Sequence, residues 1–180
     1  MLYFFILASA ILIYNPAFAE KSTSGIVESK DGEVVQAAIV AHEVAISVAE
    51  KAMQNSPTEE VRQIAQMIIR DHEAALANFE EMAEELDDEP TESEWSEQLQ
   101  AEAADRKETL SEKLGAEFDE AYLRTELEYH QDLVNLFHNE LAAATDERDL
   151  NALVVNYVSE LNAHIVQIEN IIEAVLEDED

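Results

Sequence analysis

Histidine is the residue type whose spacing in this chain points to chemistry. At 100° per residue around a helix axis, His42 falls between Ala38 and Ala45 or Ile46, and His72 between Ala65 and Phe79. His130 falls between Leu127 and Val134, and His164 between Leu161 and Ile168. Each lies on an apolar seam, one per helical stretch. The fifth, His138, stands at the edge of its stripe and reads as a surface residue. A neutral imidazole offers a nitrogen lone pair that suits zinc, copper, iron or nickel. Buried without a partner, each would cost on the order of 1–3 kcal/mol. One such histidine is most simply a core residue held by a neighbour; four on matching seams point to a shared metal.

Carboxylates at helical spacing extend the set. Glu126 precedes His130 by four residues and Glu160 precedes His164 by four, so both are expected on the inward side. They would serve as ligands or as acceptors that orient the imidazoles. Glu43, at the edge of the first apolar face, is expected to reach inward. The expected ligands are therefore His72, His130 and His164, with His42 or Glu43 from the first helix and Glu126 in support. With 41 acidic residues in the chain, chance Glu–His pairings compete with each individual Glu role. There is no HExxH pair, no Gly-rich phosphate loop and no nucleophile motif, and the absence of Cys excludes thiolate ligands and disulfides.

These residues need rods to carry them. Only 3 Gly and 3 Pro occur, and good helix formers abound, so the chain reads as all-α. The apolar rhythm predicts a first helix over Glu33 to Asn55, with Asp31 as its cap. Ser56-Pro57-Thr58-Glu59 reads as N-cap, first helical proline and capping box for a second helix that runs to about Leu86. A weaker helix, Thr91 to Leu114, reads as an excursion packed against the bundle, with Trp95, Leu99, Ala103 and Leu110 on one side. The third core helix is expected from Glu117 to Ala144 and the fourth from Arg148 to Glu177. Short connections make the first and second, and the third and fourth, antiparallel neighbours. Every seam histidine sits near the middle of its helix, so the four imidazoles are expected in one layer. Trp95, Tyr122, Tyr129 and Tyr157 read as core or interface aromatics.

The formal charge is −31. Such a surface lacks the basic footprint that nucleic acid requires, and it excludes an anionic membrane surface for the same reason. It also draws cations toward the protein. Met1 to Phe18 carries no charged side chain, and Ala17-Phe18-Ala19 supplies a small-x-small cleavage pattern. A signal peptide cleaved after Ala19 is expected, with a retained membrane anchor as the alternative. A polar lead-in, residues 20–31, would precede the folded part, which lies outside the cytoplasm.

Three segments carry a family resemblance. Val61-Arg62-Gln63-Ile64-Ala65-Gln66-Met67-Ile68-Ile69-Arg70-Asp71-His72 is similar to a signature V-x-x-[FI]-A-x-x-[MI]-[VI]-x-D-H. Leu114-Gly115-Ala116-Glu117-Phe118-Asp119-Glu120-Ala121-Tyr122, with His130, resembles an LSGxxFDxxY…H segment, and Leu161-Asn162-Ala163-His164 resembles a closing L-x-x-H. All three signatures belong to a family of exported bacterial proteins in the ferritin-like superfamily, a domain of unknown function. The resemblance spans about Asp31 to Ile172. It implies a ferritin-like antiparallel four-helix bundle with an extra helix between core helices 2 and 3, and polar positions at Glu43, His72, His130 and His164. Two departures stand out: Ser159 replaces the family's usual Pro, and His42 is not a family position. The Glu-x-x-His pairs of di-iron ferritins are missing, since Ile69 and Leu161 stand three residues before His72 and His164. That argues against ferroxidase chemistry.

Sequence alone thus leads to an exported bundle that holds a divalent transition metal mid-bundle. Two alternatives stay open: an envelope protein whose histidines only fill the core, and an oxidoreductase in which Glu126 and Glu160 complete an open site.

Overall fold

The computed structural model of the protein describes residues 30–177. The expected signal segment and most of the lead-in lie outside them. Among the described residues there are five helical rods and no strand. They are α1 (Asp31–Asn55), α2 (Glu59–Glu85), α3 (Glu94–Ser111), α4 (Ala116–Asn135) and α5 (Arg148–Ile172). The rod of α4 runs on through a π-helical segment, Leu136–Leu141, into Ala142–Ala144, and α5 ends in a second π segment, Glu173–Glu177. The all-α bundle read from the sequence is the fold observed.

Helix α1 is the hub. Its Val and Ala residues are buried on nearly every side (Val34, Val35, Ala37, Ala38, Ala41, Ala45, Val48, Ala49, Ala52), because α2 packs along one face and α3 along another. It is long and apolar enough to cross a membrane, yet 67% of its most apolar window is buried inside the protein, as in the central helix of a bundle. Small side chains let neighbours come close. A Cβ at Gly32 would lie 2.3 Å from the carbonyl oxygen of Glu89, and the Thr91 N–H donates to the Gly32 carbonyl at 3.0 Å. Glycine is required there so that the α2–α3 connection can cross the start of α1.

The helix starts differ from the sequence reading. Pro57 lies outside α2, which begins at Glu59, and Thr58 is the N-cap without a side-chain capping bond. Ser56 instead accepts the Thr58 N–H at 3.2 Å in a local turn, and Thr58 donates its hydroxyl to Asp119 at the start of α4. Asp31 occupies the first turn of α1, not its cap. Its carboxylate accepts the Thr145 hydroxyl and the backbone N–H groups of Asp146 and Glu147 (3.1 and 3.3 Å), tying α1 to the α4–α5 turn. Asp31 is drawn away by the α4–α5 turn, and Ser56 by its own local turn.

The excursion helix α3 packs on α1 and α4. It is capped by a reciprocal Ser93–Ser96 box. Its inward stripe is Leu99, Ala103, Arg106 and Leu110. Leu133, Phe137 and Leu141 along the α4 rod are all buried, and its π segment is a short insertion within that rod.

Candidate metal centre

The four seam histidines meet mid-bundle, one each from α1, α2, α4 and α5. His42, His72 and His130 are fully buried and His164 is 3% exposed. The rings of His72, His130 and His164 form a triangle with centroid separations of 5.5, 5.3 and 5.5 Å. One potential ligand atom from each lies within 4.8 Å of the other two. His42 joins only one corner, with its ring centroid 5.2 Å from that of His72. The expected single layer is therefore a triangle with one imidazole appended.

Neighbouring groups decide which nitrogen of each ring is free. His130 Nδ1 lies 2.8 Å from the Glu126 carbonyl one turn earlier. A carbonyl only accepts, so Nδ1 carries the proton and Nε2 keeps its lone pair. His164 Nε2 lies 3.3 Å from an Asp71 carboxylate oxygen, which leaves His164 Nδ1 bare, and that atom is buried with no partner. His72 faces His130 across 3.4 Å, Nε2 to Nε2, and faces His42 across 3.3 Å, Nδ1 to Nδ1. Tyr157 Oη flanks the His72 ring, 3.1 Å from each nitrogen.

The donor set fits a transition metal. Two nitrogens about 2.0–2.1 Å from one tetrahedral ion stand about 3.4 Å apart, which is the His72–His130 separation. All four imidazoles are kept neutral. Burial, and then the nearby His164, lowers the His42 pKa to about 3. Burial together with His164 lowers that of His130 to about 3. Burial and the surrounding rings hold His72 well below the usual value. For His164 burial lowers the pKa against the opposing pull of Asp71. Neutral rings present lone pairs, as metal ligation requires.

The carboxylates fall out differently from expectation. Glu126 is buried as expected, but it stands behind His130: its Oε2 is 3.5 Å from Nδ1, the side turned away from the triangle. Its other oxygen pairs with Arg106 from α3. Burial raises the Glu126 pKa, and Arg106 counters that rise. Glu43 is exposed and is not brought to the cluster. With His42 pointing inward, the next residue is turned 100° away, toward solvent. Glu160 is exposed too; it stands at the rim, where its charge favours protonated His164. His138 is exposed, as expected, and Tyr122, Tyr129 and Tyr157 are core residues.

Three side chains beside the histidines were given no place near them by the sequence. Arg106 is buried over the Tyr129 ring, 4.1 Å from its centroid, and its Nε and Nη1 have no partner. Its place in the stripe Leu99–Ala103–Arg106–Leu110 was the available signal. Asp71 supplies the acceptor for His164, and Tyr157 edges His72. Hollows of about 260 and 250 Å³ lie between α3 and α4, lined in part by Tyr129 and Arg106. No imidazole lines either.

Residues 16–171 match the family described as "Domain of unknown function (DUF4142)". The chain belongs to that family. The match takes in the whole bundle up to Ile171, including Asp71, all four seam histidines and Arg106. No curated protein sequence matches this DUF4142 chain. Among solved structures it is similar to "CopM in the Cu(II)-bound form", with a TM-score of 0.62 and 20% identity. The alignment covers 80% of this chain and 96% of that one. At that identity the likeness shows a shared helical fold.

Proposed function

We propose that this protein is an exported metal-binding bundle that holds one divalent transition metal through His72, His130 and His164. The observation that carries the reading is the buried imidazole triangle whose outward nitrogens, on His130 and His164, already have acceptors in Glu126 and Asp71. Metal-ligating histidines carry such acceptors behind them. His130 Nε2, His164 Nδ1 and His72 Nε2 are then the ligand atoms. Imidazole donors suit zinc, copper, iron or nickel. The likeness to a copper(II)-bound bundle and the high affinity of Cu(II) for nitrogen sites put copper first. The ferritin-like relation belongs to this reading as well, as a bundle whose core holds metal without the di-iron carboxylates. Export rests on the apolar leader and its Ala17-Phe18-Ala19 pattern.

The three ligand imidazoles are buried, which favours holding a metal over turning over a substrate. The same ring-to-ring bonds favour a second reading, a metal-free structural bundle whose histidines satisfy one another. Elemental analysis by mass spectrometry separates the two. After a high-salt wash that strips cations from the acidic surface, wild type should carry close to one metal per chain and His72→Ala/His130→Ala none. Equal, negligible metal in both after reloading would leave the structural reading.

A further inference from the structure

Each ligand imidazole of the proposed centre needs an acceptor for its outward N–H, and two have one that can only accept. His130 has the Glu126 carbonyl at 2.8 Å, and His164 has the Asp71 carboxylate at 3.3 Å. His72 has neither. The groups within hydrogen-bonding distance of it, besides His130, are His42 Nδ1 at 3.3 Å and the Tyr157 hydroxyl at 3.1 Å. We propose that His42 is a positioning residue: its Nδ1 accepts the Nδ1–H of His72 and so reserves the Nε2 lone pair of His72 for the metal. This rests on the metal-binding reading above.

Three observations support the assignment. First, His42 is locked. It is fully buried, with ring centroids of Tyr157, Phe79 and Phe137 at 4.4, 5.2 and 6.2 Å, so its Nδ1 is a fixed point and not a wandering side chain. Second, the remaining atom fits this tautomer. His42 Nε2 is buried with no partner. As an N–H among aromatic rings it meets weak π acceptors, whereas a bare lone pair there would meet none. Third, His42 stands outside the triangle and touches His72 on the edge away from His130. It is poorly placed as a fourth ligand and well placed as the acceptor behind the first. Tyr157 is the competitor. Its hydroxyl is equidistant from both His72 nitrogens, so it discriminates between them less than His42 does.

The test is zinc affinity by competition with a chromophoric chelator, for wild type, His42→Leu, His42→Asn and Tyr157→Phe. Leu matches histidine roughly in bulk but cannot accept a hydrogen bond; the Asn amide oxygen restores an acceptor near the Nδ1 position. The expected result for His42→Leu is an unchanged one-to-one stoichiometry with affinity reduced roughly 10–100-fold. His42→Asn should stand within a few-fold of wild type, and so should Tyr157→Phe. Long-range ¹H–¹⁵N NMR of zinc-loaded wild type should show His72 protonated at Nδ1 and ligated through Nε2. This readout needs no variant to fold.

Equal zinc affinity in wild type and His42→Leu would overturn the positioning role while leaving the metal centre standing. So would a His72 ligated through Nδ1, a loss in Tyr157→Phe in place of His42→Leu, or equal losses in the Leu and Asn variants. A wild type that binds no stoichiometric zinc, copper, iron or nickel would overturn the metal centre and the role of His42 together.

Discussion

Removing the His42 imidazole should make the apoprotein less sensitive to acid. In the unfolded chain His42 takes a proton near its ordinary value of 6.5, whereas burial holds it neutral in the folded state down to about 3. Between those values the unfolded state binds more protons, so stability falls as pH falls. At pH 4.5 the unfolded chain gains roughly 2 pH units of protonation free energy at this site, about 2–3 kcal/mol. The acidic surface works in the opposite direction, since titrating some of its carboxylates relieves repulsion among them. Comparing wild type with His42→Leu cancels that surface contribution, because both proteins share it. The assay is urea unfolding with chelator present, at pH 7 and pH 4.5. With an m-value in the usual 1–3 kcal/mol/M range, the gap between the two urea midpoints should shift by about 1 M in favour of His42→Leu on acidification. Midpoints that move in parallel would refute the reasoning, because they would mean that His42 protonates freely in the folded protein.

Other perturbations probe the rest of the centre and its scaffold. Arg106→Met strands the buried Glu126 charge and should cost about 3–5 kcal/mol by urea unfolding, whereas Arg106→Met/Glu126→Leu should recover most of that loss. Gly32→Ala places a Cβ 2.3 Å from the Glu89 carbonyl; by calorimetry it should destabilise the fold by about 1–3 kcal/mol. Copper or zinc at 100 times its Kd should stabilise wild type by about 3 kcal/mol, which is a rise in Tm of roughly 5–10 °C for a chain of this size. His164→Ala should abolish that rise.

The histidine layer was legible because each imidazole sits within an apolar rhythm at helical spacing, and four mid-helix positions imply one level. Individual carboxylates were not. A one-residue step turns a side chain by 100°, so His42 can face the core while Glu43 faces solvent. At the four-residue spacing of Glu160 and His164, a remaining 40° decides between seam and rim. Arg106 was hidden for another reason: α3 reads as an excursion, and only its packing on α1 and α4 brings the guanidinium to Glu126. The capping roles read for Asp31 and Ser56 are not the ones they play, because Asp31 is drawn to the turn at residues 145–147 and Ser56 to its own turn. Membership in a domain-of-unknown-function family and the all-α bundle were readable from motif and periodicity. The appended position of His42, joined to one corner of the triangle, is set by helix packing that periodicity does not encode.

The measurement that bears most directly on the central claim is X-ray absorption spectroscopy of the copper- or zinc-loaded protein after removal of loosely held ions. A mid-bundle centre predicts about three imidazole nitrogens near 2.0 Å, with the outer-shell scattering of intact rings, and loss of that signal in His72→Ala/His130→Ala. A first shell of oxygens alone, unchanged in the double variant, would mean that the metal sits on the acidic surface and that the histidine triangle is not its site.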